Sequence, residues 1–288
     1  MKNKVCALVI TYNRIELLKQ CIKRIKMQTY NCDIFVIDNN SNDGTQVYLK
    51  TDNIPFYRTD KNIGGAGGFN LGLKTCVLKG YKYIWVMDDD CLPYPDSLEK
   101  MINSAEILND DFGFIASRVL WVDGNDHKMN EIKNKRVYEN NLYLTKQATF
   151  VSLLLRSEVV KKCGLPIKDF FIWGDDIEYT RRISIRNSYP CFYDKDSVVI
   201  HETKNNIGSK IAFDDLENIS RYYYAYRNEL YLYRQEKLRG LIYYFLKCNY
   251  NLLRILIKSD NKIKRVKIMA KGIRDGLKFY PEVEYIEG

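Results

Sequence analysis

The sequence has little histidine and lacks the segments that mark secreted or membrane-spanning chains. It contains two histidines, and its eight cysteines include no C-x-x-C pair. Cys6 and Cys76 fall in apolar or helical patterns, so we interpret the cysteines as reduced core thiols of a cytoplasmic protein, not as disulfides or a zinc site. The first apolar segment, Val5–Ile10, is too short for a signal peptide. No stretch of about 18 uncharged apolar residues occurs, so we predict no membrane-spanning helix.

The chain does have ample apolar content and an uneven distribution of charge. Its 288 residues are 46% hydrophobic, which predicts one large α/β domain or one domain with an appendage. The net charge is +9, and residues 221–288 contain fifteen Lys or Arg against seven Asp or Glu. This end of the chain therefore holds nearly all of the net charge. We predict a catalytic domain over residues 1–220 and a basic, aromatic, helical region over residues 221–288.

Short apolar segments alternate with helical spacing along the first part of the chain. Apolar residues at Ile15, Leu18 and Ile22 recur at the spacing of a helix face. The alternation predicts an α/β fold with a Rossmann-like, mostly parallel sheet and helices on both faces. We predict strands at Val5–Thr11, Asp33–Ile37, Ile54–Arg58, Tyr83–Met87, Phe112–Val122, Thr149–Arg156 and Asp196–Ile200, and a mobile loop at Asp123–Asn141.

Three adjacent carboxylates, Asp88, Asp89 and Asp90, follow the predicted strand Tyr83–Met87. Side chains alternate along an extended strand, so we expect Asp88 and Asp90 on the same side. Two carboxylates at a strand end suit a hard divalent cation, and ligands of open α/β sheets collect beyond such ends. The alternative is a solvated acidic turn. The buried strand before the acids and the Cys-Leu-Pro-Tyr-Pro turn after them favour the cation site.

A glycine-rich segment, Asn62–Gly68, lies one strand before these acids and precedes a predicted helix at Phe69–Leu78. Its glycines allow positive φ angles and close approach of the backbone to a ligand. No Gly-Lys-Ser/Thr follows, and the full G-x-G-x-x-G spacing is missing, so the segment is neither a P-loop nor a dinucleotide fingerprint. It is either a plain tight turn or a wall of the pocket that contains the acids.

A second pair of acids, Asp175 and Asp176, follows the aromatic segment Phe170–Trp173 at the predicted start of a helix. One carboxylate there can cap the helix and complement its dipole, but a cap does not need both. The other can be a general base whose pKa is tuned by burial. His201 ends the last predicted strand, where it is either structural or, because neutral imidazole binds metals well, a metal ligand.

Together these segments resemble family 2 glycosyltransferases with the GT-A fold. The resemblance covers about residues 4–230, and the last of its motifs, with His201 and Tyr222–Asn228, is most similar to the galactofuranosyltransferase branch. Rhamnosyltransferases are near relatives. The five motifs stand in the family's order: Thr11-Tyr12-Asn13-Arg14, Asp38-Asn39-Asn40-Ser41, Asn62-Ile63-Gly64-Gly65, the DxD-like Asp88-Asp89-Asp90, and Trp173-Gly174-Asp175-Asp176-Ile177-Glu178.

The resemblance implies a role for each matching position. Asp176, or in second place Asp175, is the implied catalytic base. The implied metal ligands, for Mn²⁺ or Mg²⁺ on the donor diphosphate, are Asp88, Asp90 and His201. Trp173 and Glu178 are implied to bind the acceptor. The residues implied to bind the nucleotide-sugar donor are Thr11, Arg14, Asp38, Asn40, Asn62, Gly64, Asp88 and Asp89.

The implied activity is inverting, metal-dependent transfer of a sugar onto a saccharide or lipid-linked glycan in cell-surface polysaccharide synthesis. A divalent ion stabilises the charge of a nucleotide-diphosphate leaving group, and a carboxylate takes the proton of the weakly nucleophilic acceptor hydroxyl. The resemblance favours UDP-galactofuranose as donor, with dTDP-rhamnose as the alternative. A sugar-phosphate nucleotidyltransferase would need a basic glycine-rich loop after the first strand, and Thr11–Ile15 contains no glycine.

The basic segment Arg239–Gly272 interleaves apolar and aromatic residues with Lys and Arg. It predicts either a helical pair packed on the catalytic domain or a surface for an anionic membrane, which would place the protein on the inner face of the cell membrane. A non-enzymatic, membrane-surface binding protein is therefore the alternative of a different class. The aromatic residues would permit nucleic-acid stacking, but no nucleic-acid motif is present, and we predict no such partner. The sequence contains no signal from which to predict the oligomeric state.

Overall fold

The structure, a computed structural model, describes residues 4–133, 135–204, 206 and 210–286. Strands in this part of the chain form a single ten-stranded sheet. In chain order they are β1 (Val5–Thr11), β2 (Asp33–Asp38), β3 (Phe56–Arg58), β4 (Tyr83–Asp88), β5 (Cys91–Pro93), β6 (Phe114–Leu120), β7 (Lys135–Glu139), β8 (Leu142–Thr145), β9 (Leu153–Arg156) and β10 (Phe192–His201).

The sheet is parallel in its first half and mixed in its second. Its order is β3-β2-β1-β4-β9-β6-β10-β8-β7, and β5 pairs with β10 beside that path. β3, β2, β1 and β4 run parallel, whereas β9 lies antiparallel between β4 and β6. β6 and β10 are again parallel. The carboxyl ends of β1 and β4, where the sequence places its first acids, therefore meet at one edge of the sheet.

Helices cover both faces of the sheet, which confirms the predicted α/β class. The helices are α1 (Ile15–Lys26), α2 (Thr45–Thr51), α3 (Gly64–Leu78), α4 (Ser97–Ile107), α5 (Ser157–Cys163), α6 (Asp175–Arg181, continued by a π-helical turn at Arg182–Arg186), α7 (Tyr222–Arg234), α8 (Lys237–Lys258) and α9 (Lys262–Leu277). Alternate residues of β4 contribute to opposite layers: Trp85 packs with the layer of α1, α2 and α4, and Ile84 with the layer of α3, α5 and α6.

The last three helices form a separate cluster around buried Tyr226, Tyr244, Ile255 and Met269. This arrangement confirms a helical pair within Arg239–Gly272, while the domain division at residue 220 stays a prediction. No helix among the described residues combines the length and apolar content needed to cross a bilayer. The eight cysteines, all within the described residues, are free thiols.

Two predicted segments are corrected by the structure. The stretch Asp123–Asn141, predicted as a mobile loop, contains β7, which pairs with β8 as a hairpin at the sheet edge. All five residues of β7 are exposed. Because neither side of the strand is buried, its sequence does not show the alternation of apolar and polar residues that would predict it. Of the predicted strand Thr149–Arg156, only the second half, Leu153–Arg156, forms a strand, which is β9.

The glycine-rich segment is also corrected, because α3 begins at Gly64, five residues earlier than predicted. The glycines form the first turns of a helix that packs unusually close to the sheet. A Cβ at Gly68 would lie 2.6 Å from a side-chain carbon of Ile10, and one at Gly72 would lie 2.5 Å from a side-chain carbon of Leu8. Because Gly68 and Gly72 have no side chain, the helix can pack close to β1.

Candidate active site

A cavity of about 1120 Å³ opens at the carboxyl ends of β1 and β4. Thr11 and Asp88 lie on its sheet side, and Asn62 and Gly64 lie at the start of α3. The segment Phe171–Asp176 forms another wall. Ligands of open α/β sheets bind in this position, and the volume accommodates a nucleotide sugar. We therefore take this cavity as the candidate active site.

The first acidic cluster divides into one cavity-lining residue and two residues paired with Arg14. Asp88 ends β4 and lines the cavity. Asp89 accepts a hydrogen bond from Thr11 Oγ1 at 2.7 Å, and its Oδ1 lies 2.6 Å from an Arg14 guanidinium nitrogen. Asp90 Oδ2 accepts a hydrogen bond from Arg14 at 2.7 Å. The strand ends at Asp88, so side-chain alternation does not extend to the next two acids.

These environments shift the three carboxyl groups in different directions. Burial and the neighbouring Asp90 raise the pKa of Asp88 well above its usual range. Burial raises the pKa of Asp89 to about 7 against the opposing charge of Arg14. Burial acts the same way on Asp90, but His201 and Arg14 outweigh it and lower the pKa of that group. Of the three acids, Asp90 is thus the one held most firmly as a carboxylate.

His201 stands beside Asp90 because β5 and β10 pair antiparallel, with Cys91 opposite His201. His201 Nε2 lies 3.3 Å from Asp90 Oδ1, and its Nδ1 lies 2.8 Å from Asn130 Oδ1. With Nδ1 donating to the Asn130 oxygen, a metal ion that displaced the Nε2 proton would find that nitrogen facing the carboxylate. Asp90 Oδ1 is buried and accepts no hydrogen bond from any described residue.

This pair fits the implied divalent metal. A carboxylate oxygen without a hydrogen bond and an imidazole nitrogen facing it are both metal donors that a cation between them would satisfy. The described residues contain no group of three or more His, Cys, Asp or Glu side chains arranged to hold a metal ion. Mg²⁺ and similar ions commonly take one or two protein ligands and complete their coordination with substrate phosphates and water.

The second acidic pair lies at the start of α6, in the wall formed by Phe171–Asp176. Asp175 and Asp176 both line the cavity. Gly174, with a φ angle of 85°, is the N-cap residue that precedes them. Burial and the adjacent Asp176 raise the pKa of Asp175 well above its usual range. Burial also raises the pKa of Asp176, to about 6, while the backbone N–H of Ile177 opposes this by donating to its carboxylate at 2.7 Å. At neutral pH Asp176 is therefore largely ionised, whereas burial beside that charge favours the protonated form of Asp175.

A residue of the C-terminal helices holds the backbone of the segment that precedes these acids. The amide nitrogen of Asn228, on α7, donates to the carbonyl oxygens of Phe170, Ile172 and Trp173 at 2.8–3.0 Å. Phe171 and Trp173 have positive φ angles of 64° and 68°. Non-glycine residues adopt such angles at a cost, which the Asn228 contacts offset. The motif Tyr222–Asn228 thus holds the backbone that leads into the acidic pair.

Five predicted site residues do not line the cavity. One is Asp90, whose carboxylate pairs with Arg14 and faces His201. Asp89 is engaged by Thr11 and Arg14, as described above. Glu178 is 1% exposed, and its carboxylate pairs with Arg182 at 2.8 Å in the core, which corrects its implied contact with the acceptor. Asp38 and Asn40 both accept hydrogen bonds from Arg58 and support the loop after β2.

Of the other predicted positions, Thr11, Arg14, Asn62, Gly64, Asp88, Trp173, Asp175, Asp176 and His201 line the cavity. Sequence reasoning missed several further residues of its wall, which reach it from distant parts of the chain: Asn39, Asn130, Arg221, Tyr223, Tyr224 and Lys271. The neighbouring Asp38 and Asn40 were a signal for Asn39. Tyr223 and Tyr224 belong to the motif Tyr222–Asn228, which was a signal for them. For Asn130 and Lys271 the sequence offers none, since Asn130 lies in the segment predicted as a loop and Lys271 in the basic tail.

Solved structures of glycosyltransferases with the GT-A fold share this architecture. The chain aligns with a crystal structure of GalNAc-T7 with UDP, GalNAc and Mn²⁺ at a TM-score of 0.58 and 14% identity, over 82% of this chain and 52% of that one. It aligns with TarS of S. aureus at a TM-score of 0.55 and 13% identity, over 97% of this chain and 44% of that one. At these identities the likeness establishes the fold, and it confirms the predicted GT-A class.

The sequence comparison identifies the family. A model of glycosyl transferase family 2 matches residues 6–163, and the chain belongs to this family. It is therefore a glycosyltransferase. The chain is also 25% identical over 260 residues to galactofuranosyltransferase GlfT1 of Mycolicibacterium smegmatis (strain ATCC 700084 / mc(2)155), which covers 83% of this chain and 85% of that protein.

Proposed function

We propose that this protein transfers galactofuranose from UDP-galactofuranose to a hydroxyl of a saccharide or lipid-linked glycan acceptor, in the synthesis of a cell-surface polysaccharide. The observation that carries the proposal is that Asp88 and the Asp175–Asp176 pair line one cavity at the strand ends. The similarity to a galactofuranosyltransferase along most of both chains supports the choice of sugar.

The donor is proposed to bind on the side of the cavity formed by β1 and the start of α3. Thr11, Arg14, Asn62 and Gly64 are there, joined by Asn39, whose Oδ1 is buried and has no hydrogen-bond partner among the described residues. A buried amide oxygen of this kind favours a ligand that donates a hydrogen bond, such as a base N–H or a ribose hydroxyl. The GalNAc-T7 structure, which shares this fold, was solved with UDP.

Asp90 and His201, with Asp88 beside them, are the residues that would hold Mn²⁺ or Mg²⁺. When bound, the ion neutralises charge that develops on the diphosphate leaving group. Arg14 already neutralises part of the acidic cluster, since it pairs with both Asp89 and Asp90. Through these ion pairs Arg14 also fixes the position of the Asp90 carboxylate.

The proposed reaction is a single in-line displacement with two carboxyl groups in different roles. Asp176, ionised at neutral pH, takes the proton from the acceptor hydroxyl as its oxygen bonds to the anomeric carbon. The bond between that carbon and the diphosphate oxygen breaks with its electron pair, and UDP leaves from the opposite side. The anomeric configuration is inverted. Asp175, whose raised pKa favours its protonated form, donates a hydrogen bond that orients the acceptor.

A donor panel tests this function. Purified protein with Mn²⁺ is incubated with UDP-galactofuranose, UDP-galactopyranose or dTDP-rhamnose, and nucleotide release and binding are measured. We expect tightest binding and fastest nucleotide release with UDP-galactofuranose. Preference for dTDP-rhamnose would reassign the sugar while retaining the enzyme class. Binding of none of the three donors would contradict the proposed substrate.

A further inference from the structure

Helix α8 presents a long apolar face to solvent. Its inner face is buried through Tyr244, Cys248 and Ile255, which pack with α7 and α9. The opposite face carries five aliphatic side chains whose exposed fractions lie between 53% and 72%: Leu238, Ile242, Leu246, Leu253 and Ile257.

The spacing of these five residues places them on one stripe. They follow one another at steps of four, four, seven and four residues, which return to the same side of a helix with 3.6 residues per turn. Tyr243, Phe245, Tyr250 and Leu256 are also exposed and flank the stripe. The 22 residues of α8 extend over about 33 Å. An exposed apolar surface of this length, unlike scattered single residues, indicates a binding surface.

The charge on α8 identifies the partner. The helix contains no Asp or Glu, and its exposed cations are Lys237, Arg239 and Lys258. Arg254 is half-buried, and Lys247 pairs with Glu229 of α7 at 2.7 Å. Exposed Lys262 and Lys264 follow at the start of α9. A second copy of this chain, pairing through the same face, would bring these cations together. An anionic lipid surface complements both the apolar stripe and its cationic flanks, because acyl chains accept the aliphatic groups and headgroups the Lys and Arg.

We propose that the outward face of α8, defined by Leu238, Ile242, Leu246, Leu253 and Ile257, docks on an anionic phospholipid bilayer with the helix lying in the plane of the interface. The inference does not depend on the sugar transferred. It has a consequence for the cavity, because α9 packs against α8 and carries Lys271 on the cavity wall. Docking of α8 therefore holds the cavity close to the membrane surface.

Sedimentation of the full-length protein with phospholipid vesicles tests the proposal. We expect binding to phosphatidylcholine vesicles that contain phosphatidylglycerol, and weaker binding to phosphatidylcholine alone. The double variant Leu246→Gln/Leu253→Gln should lose about tenfold in affinity for each leucine. Val47→Gln/Leu78→Gln is the matched control, because both residues are similarly exposed but lie on α2 and α3. Arg239→Gln/Lys258→Gln should lose about fivefold for each cation, with the loss largest at low salt.

Circular dichroism checks that each variant is folded, and Leu238→Gln/Ile257→Gln replaces the first pair if that pair is not. Unchanged vesicle binding of a folded stripe variant would overturn the proposal. So would failure of the wild type to sediment with anionic vesicles. Self-association that light scattering detects in the wild type and not in the stripe variant, without vesicle binding, would assign the face to a second copy instead.

Discussion

The first residue of α3, Gly64, lies against the backbone carbonyl of Phe171 in the segment that leads to the second acidic pair. A Cβ at Gly64 would lie 2.0 Å from the Phe171 oxygen, and the φ angle of Gly64 is +76°. The carbonyl of Phe171 also accepts a hydrogen bond from the N–H of Ala66 at 3.1 Å. The donor wall and the wall with the proposed base are thus joined through backbone atoms, at a position that only glycine can occupy without strain.

Gly64→Ala should separate these walls. Because the new methyl group clashes with backbone and the φ angle is unfavourable for alanine, we expect a loss of roughly 2–4 kcal/mol in the free energy of unfolding. Denaturant unfolding measures this loss. Gly65→Ala is the control, since a Cβ at Gly65 meets no atom of the described residues within 4 Å and its helical position favours alanine. Equal stability of the two variants would contradict the role of the contact.

Asn228 should be as important to the segment 170–173 as Gly64. Asn228→Ala removes the donor of three carbonyl contacts in a site where the residue is buried, so we expect a loss of about 2–3 kcal/mol in unfolding free energy and a lower kcat. Asn249→Ala is the comparison, because the side chain of exposed Asn249 donates within α8, to the carbonyl of Phe245. A variant at Asn228 with wild-type stability and kcat would show that the three contacts are dispensable.

The parts of this site that the sequence predicted are those with local signals. Both acidic clusters follow apolar segments directly, and both reach the cavity through Asp88, Asp175 and Asp176. His201 was identifiable because it ends a strand. In each case the neighbouring residues define the strand or helix end, and the topology of an α/β sheet brings such ends together.

The parts that the sequence did not predict depend on partners elsewhere in the fold. Glu178 belongs to a motif of the site and pairs with Arg182 one helical turn on, but Arg182 is itself held in the core by the carbonyl oxygens of Cys163 and Leu165. Asn130 has its role only because it meets His201, 71 residues away. The glycines at Gly64–Gly68 have the composition of a loop, whereas their close contact with β1 and Phe171 makes them helical. No local pattern encodes such contacts.

Sugar transfer should depend on a divalent metal, and Mn²⁺ affinity should depend on Asp90. We expect EDTA to abolish sugar transfer and Mn²⁺ to restore it. Since changes to residues behind a metal ligand already cost ten- to hundredfold in affinity, Asp90→Asn should weaken Mn²⁺ binding by more than about 100-fold. Titration calorimetry or the Mn²⁺ electron paramagnetic resonance signal measures this directly. Asp52→Asn, which alters a partly exposed acid paired with Lys26, should leave Mn²⁺ affinity unchanged. Full turnover in EDTA would exclude the metal role.

The proposed base should appear in the pH dependence of transfer. Asp176 has its pKa raised to about 6 by burial, and only its ionised form accepts a proton, so kcat should fall about tenfold per pH unit below pH 6. Asp176→Asn should lose about 10²–10⁴-fold in kcat and lose this pH dependence, with donor affinity near wild type. Asp175→Asn should mainly raise the KM for the acceptor.

Stability gives an independent check on the same group. Because the pKa of Asp176 is higher in the folded than in the unfolded chain, its ionisation disfavours the folded state as pH rises from about 4 to about 6. Asp176→Asn should therefore stabilise the protein at pH 7 relative to its effect at pH 4, where wild-type Asp176 is largely protonated when folded. Denaturant unfolding at both pH values measures the difference. If Asp176→Asn transfers sugar at the wild-type rate while Asp175→Asn is inactive, the two roles are exchanged; if both remain active, the base lies elsewhere.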